Sequence, residues 1–276
     1  MSRIVNFFIN SNIFVAFSAF CLYKVSELLF NYDNSVIGLF VFFSTLLAYC
    51  YMKLPIFKNT YMYSKSCDSV DYHKSNYFFF FFSLLFVIFL SFSLGLKFIK
   101  LLIPPILISI IYPLTISINS KVYGVRSIPF LKIFLISFTW SYVTLMLPNF
   151  YYKIPLDYFV FSSFFERFCF ILAVAIPFDI RDYSYDRIRT IPNEIGVNNS
   201  KIFSWFCLFL MQVSFIINAI HGNLTVAIFF ALFISIEICS VFIYLTNTAR
   251  SSYFYSILVE SLPIIMYFLV LIASML

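Results

Sequence analysis

Acidic side chains are scarce in this chain: 12 aspartates and glutamates stand against 18 lysines and arginines in 276 residues, and only 11% of positions are charged. A soluble domain carries about 25% charged residues and alternates apolar with polar positions at a helical or strand period, so that class is excluded. Glycine is scarce as well, at 5 residues. Stripes of Gly-x-x-x-Gly are therefore not the device that brings helices together, and serine and alanine must serve instead. There are 2 histidines, and the 6 cysteines, at 21, 50, 67, 169, 207 and 239, have neither metal-ligand spacing nor the look of a disulfide framework. They read as small apolar packing residues. No linker rich in Gly, Ser or Pro divides the sequence, so residues 1–276 read as a single integral-membrane domain.

What is present is hydrocarbon: 62% hydrophobic residues, 40 phenylalanines and a mean hydropathy of +0.96. Runs of about 20 apolar residues span a bilayer core as helices. About nine are readable, at 5–29, 35–52, 77–96, 99–118, 128–148, 156–178, 201–220, 224–246 and 254–275. The expected fold is an all-α polytopic bundle around a central cavity that opens to the cytoplasmic side. The first run, after Arg3, is too long for a signal-peptide core and reads as an anchor. Pro104 and Pro105 are expected to kink the fourth span, and Pro263 the ninth.

Basic residues set the orientation. Arg3, Lys53, Lys58, Lys65, Lys74, Lys121, Arg126, Arg181, Arg187, Arg189, Lys201 and Arg250 fall on one side, against Lys97, Lys100 and Lys153 on the other, with Lys24 near a span end. The positive-inside rule puts the N-terminus and the long loops, near 53–76 and 179–200, in the cytoplasm. Anionic membrane lipids account for the net charge of +6, and no nucleic acid partner is needed. The expected location is an integral position in the bacterial inner (cell) membrane.

Against that background Asp179, Asp182 and Asp186 stand close together. On a helix, offsets of three and seven put them within about 60° of one face, because each residue turns about 100°. Arg181, Arg187 and Arg189 are interleaved with them. A hard cation such as Mg²⁺ takes carboxylate oxygens and shares its other sites with water and phosphate. Arginines beside it pair with phosphate oxygens. The set suits a diphosphate held by metal and guanidinium together; the plainer alternative is a solvated loop whose charges neutralise one another.

The run Asp179-Ile-Arg-Asp182-Tyr-Ser-Tyr-Asp186-Arg, followed by Thr190-Ile-Pro-Asn-Glu-Ile-Gly196, resembles the second aspartate motif of UbiA-type intramembrane prenyltransferases. The span count, the inside-facing motif and Tyr112-Pro113 at the end of the fourth span are similar to that family too. The gap between the last aspartate and the threonine is shorter than in many members. The family's first motif, an Asn/Asp-rich repeat at the end of span two, corresponds here to Tyr49, Cys50, Tyr51, Met52 and Lys53, which hold no carboxylate; Asp68 and Asp71 farther along are possible substitutes. Where members often carry Tyr-x-x-x-Lys after span four, position 116 is Ile, and Lys121 or Arg126 is available in its place.

The resemblance implies Mg²⁺-dependent transfer of an isoprenyl group from an allylic isoprenyl diphosphate to an aromatic or other lipid-pathway acceptor. It implies Asp182 and Asp186 as catalytic residues, with Asp179 completing the metal ligands. Arg181, Arg187, Lys121, Arg126 and Lys132 are the diphosphate candidates. Tyr112, Cys50, Lys53 and Glu260 are pocket candidates; Glu260 is also an acid at membrane depth, with Glu237 a weaker case. Two alternatives remain open: a catalytically inactive scaffold of the same fold, and a secondary transporter, which would place acids at midplane between repeated halves.

Overall fold

In hydrocarbon a backbone has only its own hydrogen-bond partners, so long apolar runs fold as helices. The computed structural model describes residues 11–32, 35–54, 70–118, 121–124, 128, 130–183 and 190–276. In chain order come α1 (Ile13–Phe30), α2 (Ser35–Met52), α3 (Val70–Leu94), the short α4 (Leu96–Leu101) and α5 (Ile103–Ile111), and a hairpin of β1 (Thr115–Ile118) and β2 (Lys121–Gly124). Then come α6 (Leu131–Ser141), a π-helical turn (Tyr142–Met146), α7 (Leu147–Tyr152), α8 (Tyr158–Asp182) and the short α9 (Ile191–Ile195). The chain closes with α10 (Val197–Ile220), α11 (Val226–Leu245), a second π-helical segment (Phe254–Val259) and α12 (Leu262–Ala273).

Among the described residues, 8 helical stretches are long and apolar enough to cross a membrane. The protein is an integral membrane protein of all-α architecture, with one small hairpin. The run expected as a fourth span at 99–118 is the exception. Gly95, at φ 86°, ends α3, and the helix breaks again at Leu102, before Pro104 and Pro105 in the first turn of α5. Proline lacks the N–H that would continue the ladder. Past Tyr112 the alternating Thr-Ile-Ser-Ile run forms β1, antiparallel to β2 with Thr115 opposite Gly124 and Ile118 opposite Lys121. Pro263 likewise lies in the first turn of a new helix, α12, after the second π segment.

One boundary matters for function. The sixth span was expected to stop at 178, yet α8 continues through Asp182. Asp157 caps its start, accepting from the Val160 N–H at 2.9 Å.

The helices close on themselves. Helix α1 packs on α12, α12 on α11, α11 on α10, α10 on α8 and α8 on α6, and the π turn after α6 packs back on α1. Helices α2 and α3 follow outside α1, and α3 exposes Phe78, Phe81, Leu85, Phe89 and Phe92. Lipid tails are as apolar as leucine, so close fit rather than water exclusion holds such helices together. The fit is tightest at Gly38 on α2, where a Cβ would stand 2.8 Å from Phe20 Cε2 and 3.1 Å from Tyr23 Cε1. Gly38→Val should therefore lower the melting temperature in detergent, with a cost of about 1–3 kcal/mol from overpacking. Gly38→Ala should cost less, because Phe20 is only partly buried and has room to move; unchanged melting of the valine variant would show that the approach is loose.

Candidate active site at one end of the bundle

Helices that alternate in direction bring the end of α2, the starts of α1, α3 and α6 and the end of α8 to one end of the bundle. Most of the described charged side chains of interest meet there. Asp179, only 3% exposed, accepts from Lys132 near the start of α6, with Nζ 2.5 Å from Oδ1. One turn on, Asp182 is half-buried and chelated by Arg181, whose Nε and Nη2 lie 2.7 and 2.9 Å from the two carboxylate oxygens. The Arg181 guanidinium also lies over two rings, 5.4 Å from the centre of Phe178 and 5.9 Å from that of Tyr255.

The second π-helical segment shapes the opposing wall. Its wider turn lets the Glu260 N–H donate to the Tyr255 carbonyl at 3.1 Å, and π turns of this kind recur at functional sites. Tyr255 is pinned by its hydroxyl, which donates to the Asn247 carbonyl at 2.5 Å. Glu260 follows directly and is half-buried; the charges acting on it are those of Arg181 and Lys53. Its carbonyl accepts from Ser18 Oγ at 2.6 Å, which ties the end of the π-helical segment to α1.

Lys53, just past α2, donates from Nζ to Asn12 Oδ1 at 2.5 Å. Asn12 precedes α1 in a left-handed conformation at φ 59°, which asparagine tolerates better than most residues. Its amide nitrogen donates to Cys50 Sγ at 3.7 Å, while Asn76 on α3 donates to the Cys50 carbonyl at 3.1 Å. The end of α2 is thus a small polar cluster of one ammonium, two amides and one thiol.

The structure therefore joins Lys132 with Asp179 and Arg181 with Asp182, and leaves Glu260 within electrostatic reach of Arg181 and Lys53. Cys50 shares Asn12 with Lys53. Tyr112 is buried at the end of α5, just before the hairpin. Asp186, Arg187, Arg126 and Asp68 lie outside the described residues; Lys121 is placed on β2 and Asp71 in the first turn of α3, without their side chains. Thr190 of the Thr-Ile-Pro run is 2% exposed, and its hydroxyl has no hydrogen-bond partner among the described residues.

Asn12, Asn76, Phe178 and Tyr255 were not candidates from sequence, and nothing local marks them. Glu166 and Arg167 were also missed, although adjacent charges inside an apolar run are a readable signal. Both are buried in α8. Glu166 accepts from Ser214 and Asn218 of α10 at 2.6 and 2.7 Å, and Arg167 donates to the Leu22 carbonyl at 2.5 Å and to Ser26 Oγ at 3.1 Å on α1. They fasten α8 to its neighbours away from the site.

The donor set suits a hard cation in kind, with oxygen-only ligands on successive turns of α8. Among the described residues no three His, Cys, Asp or Glu side chains form a metal-binding group. The two described carboxylates are already engaged by basic side chains. Of the expected ligands, Asp179 is buried beside Lys132, Asp182 is half-buried, and Asp186 lies outside the described residues.

No family model matches the chain, and neither does any curated protein. Solved structures do. The apo structure of a UbiA homolog from Aeropyrum pernix K1 is 14% identical, with 100% of each chain covered and a TM-score of 0.68. The fold is UbiA-type. A digeranylgeranylglyceryl phosphate synthase in membranes shares the architecture at 16% identity and a TM-score of 0.56, covering 99% of this chain and 98% of the other. The short α4–α5 pair and the hairpin sit within this UbiA-type frame.

Removing one member of a buried ion pair costs about 3–5 kcal/mol, because the other charge stays behind. Lys132→Met should therefore melt well below the parent in detergent, and Lys132→Met combined with Asp179→Leu should regain part of the loss. Equal melting of parent and single variant would mean that the pair is solvated.

Proposed function

We propose that the protein transfers an isoprenyl group from an allylic isoprenyl diphosphate to an aromatic or other lipid-pathway acceptor inside the membrane. The observation that carries this reading is the Arg181–Asp182 pair at the end of α8, set against Tyr255 and facing a Glu260 that Lys53 also acts upon. In a UbiA-type fold, that is a phosphate-ready cluster at the end of a lipid-embedded bundle. The structural relative named as digeranylgeranylglyceryl phosphate synthase makes an isoprenoid lipid, which supports the same class of chemistry here. Lys53, Lys132, Arg181, Lys201 and Arg250 gather at this end, so the positive-inside rule supports a cytoplasmic face; the membrane in this reading is a bacterial inner membrane.

Each residue has a role in that reading. Arg181 exchanges Asp182 for phosphate oxygens, since guanidinium pairs with either in the same forked geometry. Lys53 adds positive charge from the α2 side, where Asn12 holds it; Lys121, Arg126, Arg187 and Lys132 are the remaining basic candidates. Asp182 and Asp186 would hold Mg²⁺, with Asp179 behind them, and the bound ion supplies charge against the departing pyrophosphate. The bond between the allylic carbon and the diphosphate oxygen breaks, and its electron pair leaves with pyrophosphate. An electron pair of the acceptor then bonds to the allylic carbon, and the acceptor loses a proton. Tyr255 and Phe178 offer ring faces, each able to stabilise a cation by about 0.5–2 kcal/mol. Cys50, Tyr112 and Glu260 are the candidates for the acceptor side.

A specific observation favours a second reading, a non-catalytic scaffold: the end of α2 presents Cys50 and Lys53, with amides and no carboxylate. Purified protein given Mg²⁺ and labelled prenyl diphosphates of several lengths, with products read by mass spectrometry, separates the two. Turnover is expected, and Asp182→Ala and Asp186→Ala should each reduce it by a factor on the order of 10²–10³, the scale of losing one electrostatic stabiliser. Parent-like turnover in either variant would remove the metal assignment. An inert parent that is fully folded would leave the scaffold.

A further inference from the structure

Glu237 lies on the outside of the bundle, in the middle of a membrane-spanning helix. It stands on α11, about 12 Å or more along the helix from either end, and is exposed on the same face as Phe230, Ile234, Val241 and Tyr244. Among residues whose side chains are described, it is the one acid exposed within a membrane-length helix. Its Oε1 accepts from Gln212 Nε2 of α10 at 2.6 Å. That bond uses one amide hydrogen and one carboxyl oxygen. A second amide hydrogen, the amide oxygen and the other carboxyl oxygen remain for other partners.

Lipid at that depth has neither donors nor acceptors, and a glutamate side chain is too short to reach the headgroups from there. Ionisable groups inside the bilayer face protein or water-filled space almost without exception. We propose that the α10–α11 face is the contact surface of a homodimer, in which two Gln212–Glu237 pairs meet across a two-fold axis. The set is self-complementary: a copy turned by the two-fold presents donors to these acceptors and acceptors to these donors, as an isologous interface requires. Interhelical hydrogen bonds among Gln, Asn and similar side chains are an established means of holding membrane helices together. The flanking Ile234 and Val241 lie one turn to either side and would pack on their counterparts. No residue of the proposed active site takes part, so this inference stands apart from the proposed reaction.

The test is oxidative cross-linking of the full chain in phosphatidylcholine vesicles. Single replacements Ile234→Cys or Val241→Cys should give a covalent dimer, and Phe92→Cys on the outward face of α3 should not. Adding Glu237→Leu should cut the dimer yield at least fivefold, while Glu237→Gln, which keeps a donor and an acceptor, should preserve it. Melting of the leucine variant at the parent's temperature shows that loss of dimer is not loss of fold; if it melts lower, Gln212→Leu serves in its place. A dimer yield at the Phe92→Cys background, or one indifferent to the leucine replacement, overturns the proposal.

Discussion

A charge inside hydrocarbon has to be matched by a polar partner, and in this protein several of those partners come from a neighbouring helix and fix how it sits. Lys132 of α6 answers Asp179 of α8. Arg167 of α8 is answered by a backbone carbonyl and a hydroxyl of α1, and Glu166 by two residues of α10. Helix α8, the longest of those around the ring, is thereby fixed on three sides by polar contacts rather than by apolar packing alone. Such contacts are directional, as dispersion is not, so they set rotation and depth as well as proximity.

The same requirement shapes the charged cluster at the end of α8. Arg181 and Asp182 neutralise each other at the last turn of α8, where water begins to compete. Glu260, one helix away, lies under the influence of Arg181 and Lys53 together. The cluster holds its charges by mutual neutralisation, so an incoming anion finds basic groups whose present partners are carboxylates and an amide. An anion that took over those basic groups would leave the carboxylates unpaired, so a cation would have to accompany it.

Much of this was legible in the sequence. Hydropathy located the long helices, because only backbone-satisfied segments survive in lipid, and the Asp-Arg run stood out against a background poor in acids. The helix end was misplaced because Asp179 and Arg181 looked like loop residues; once paired with Lys132 and Asp182 they are acceptable within α8. The 99–118 run misled in the opposite direction. Its apolar content suits a span, while Gly95, the two prolines and the alternating β-branched residues after Tyr112 dictate breaks and a hairpin. Asn12, Asn76 and Tyr255 were not legible at all, since each acts on a residue of another helix and no local pattern announces such a pairing.

The second π-helical segment has a consequence for how this chain can vary. It holds one residue more than an α-helical turn would at the same place, and that surplus aims Tyr255 and Glu260 together at the end of α8. Loss of a single residue between Phe254 and Val259 would wind the segment back to an ordinary helix and leave the residues beyond it on their present faces, whereas loss of a residue within α12 itself would turn everything beyond it by about 100°. What such a loss in the π segment would remove is the bond from the Glu260 N–H to the Tyr255 carbonyl, and with it the present spacing of these two residues. A change of length by one residue is therefore absorbed in this stretch, at the expense of the Tyr255–Glu260 spacing, while the rest of α12 keeps its packing.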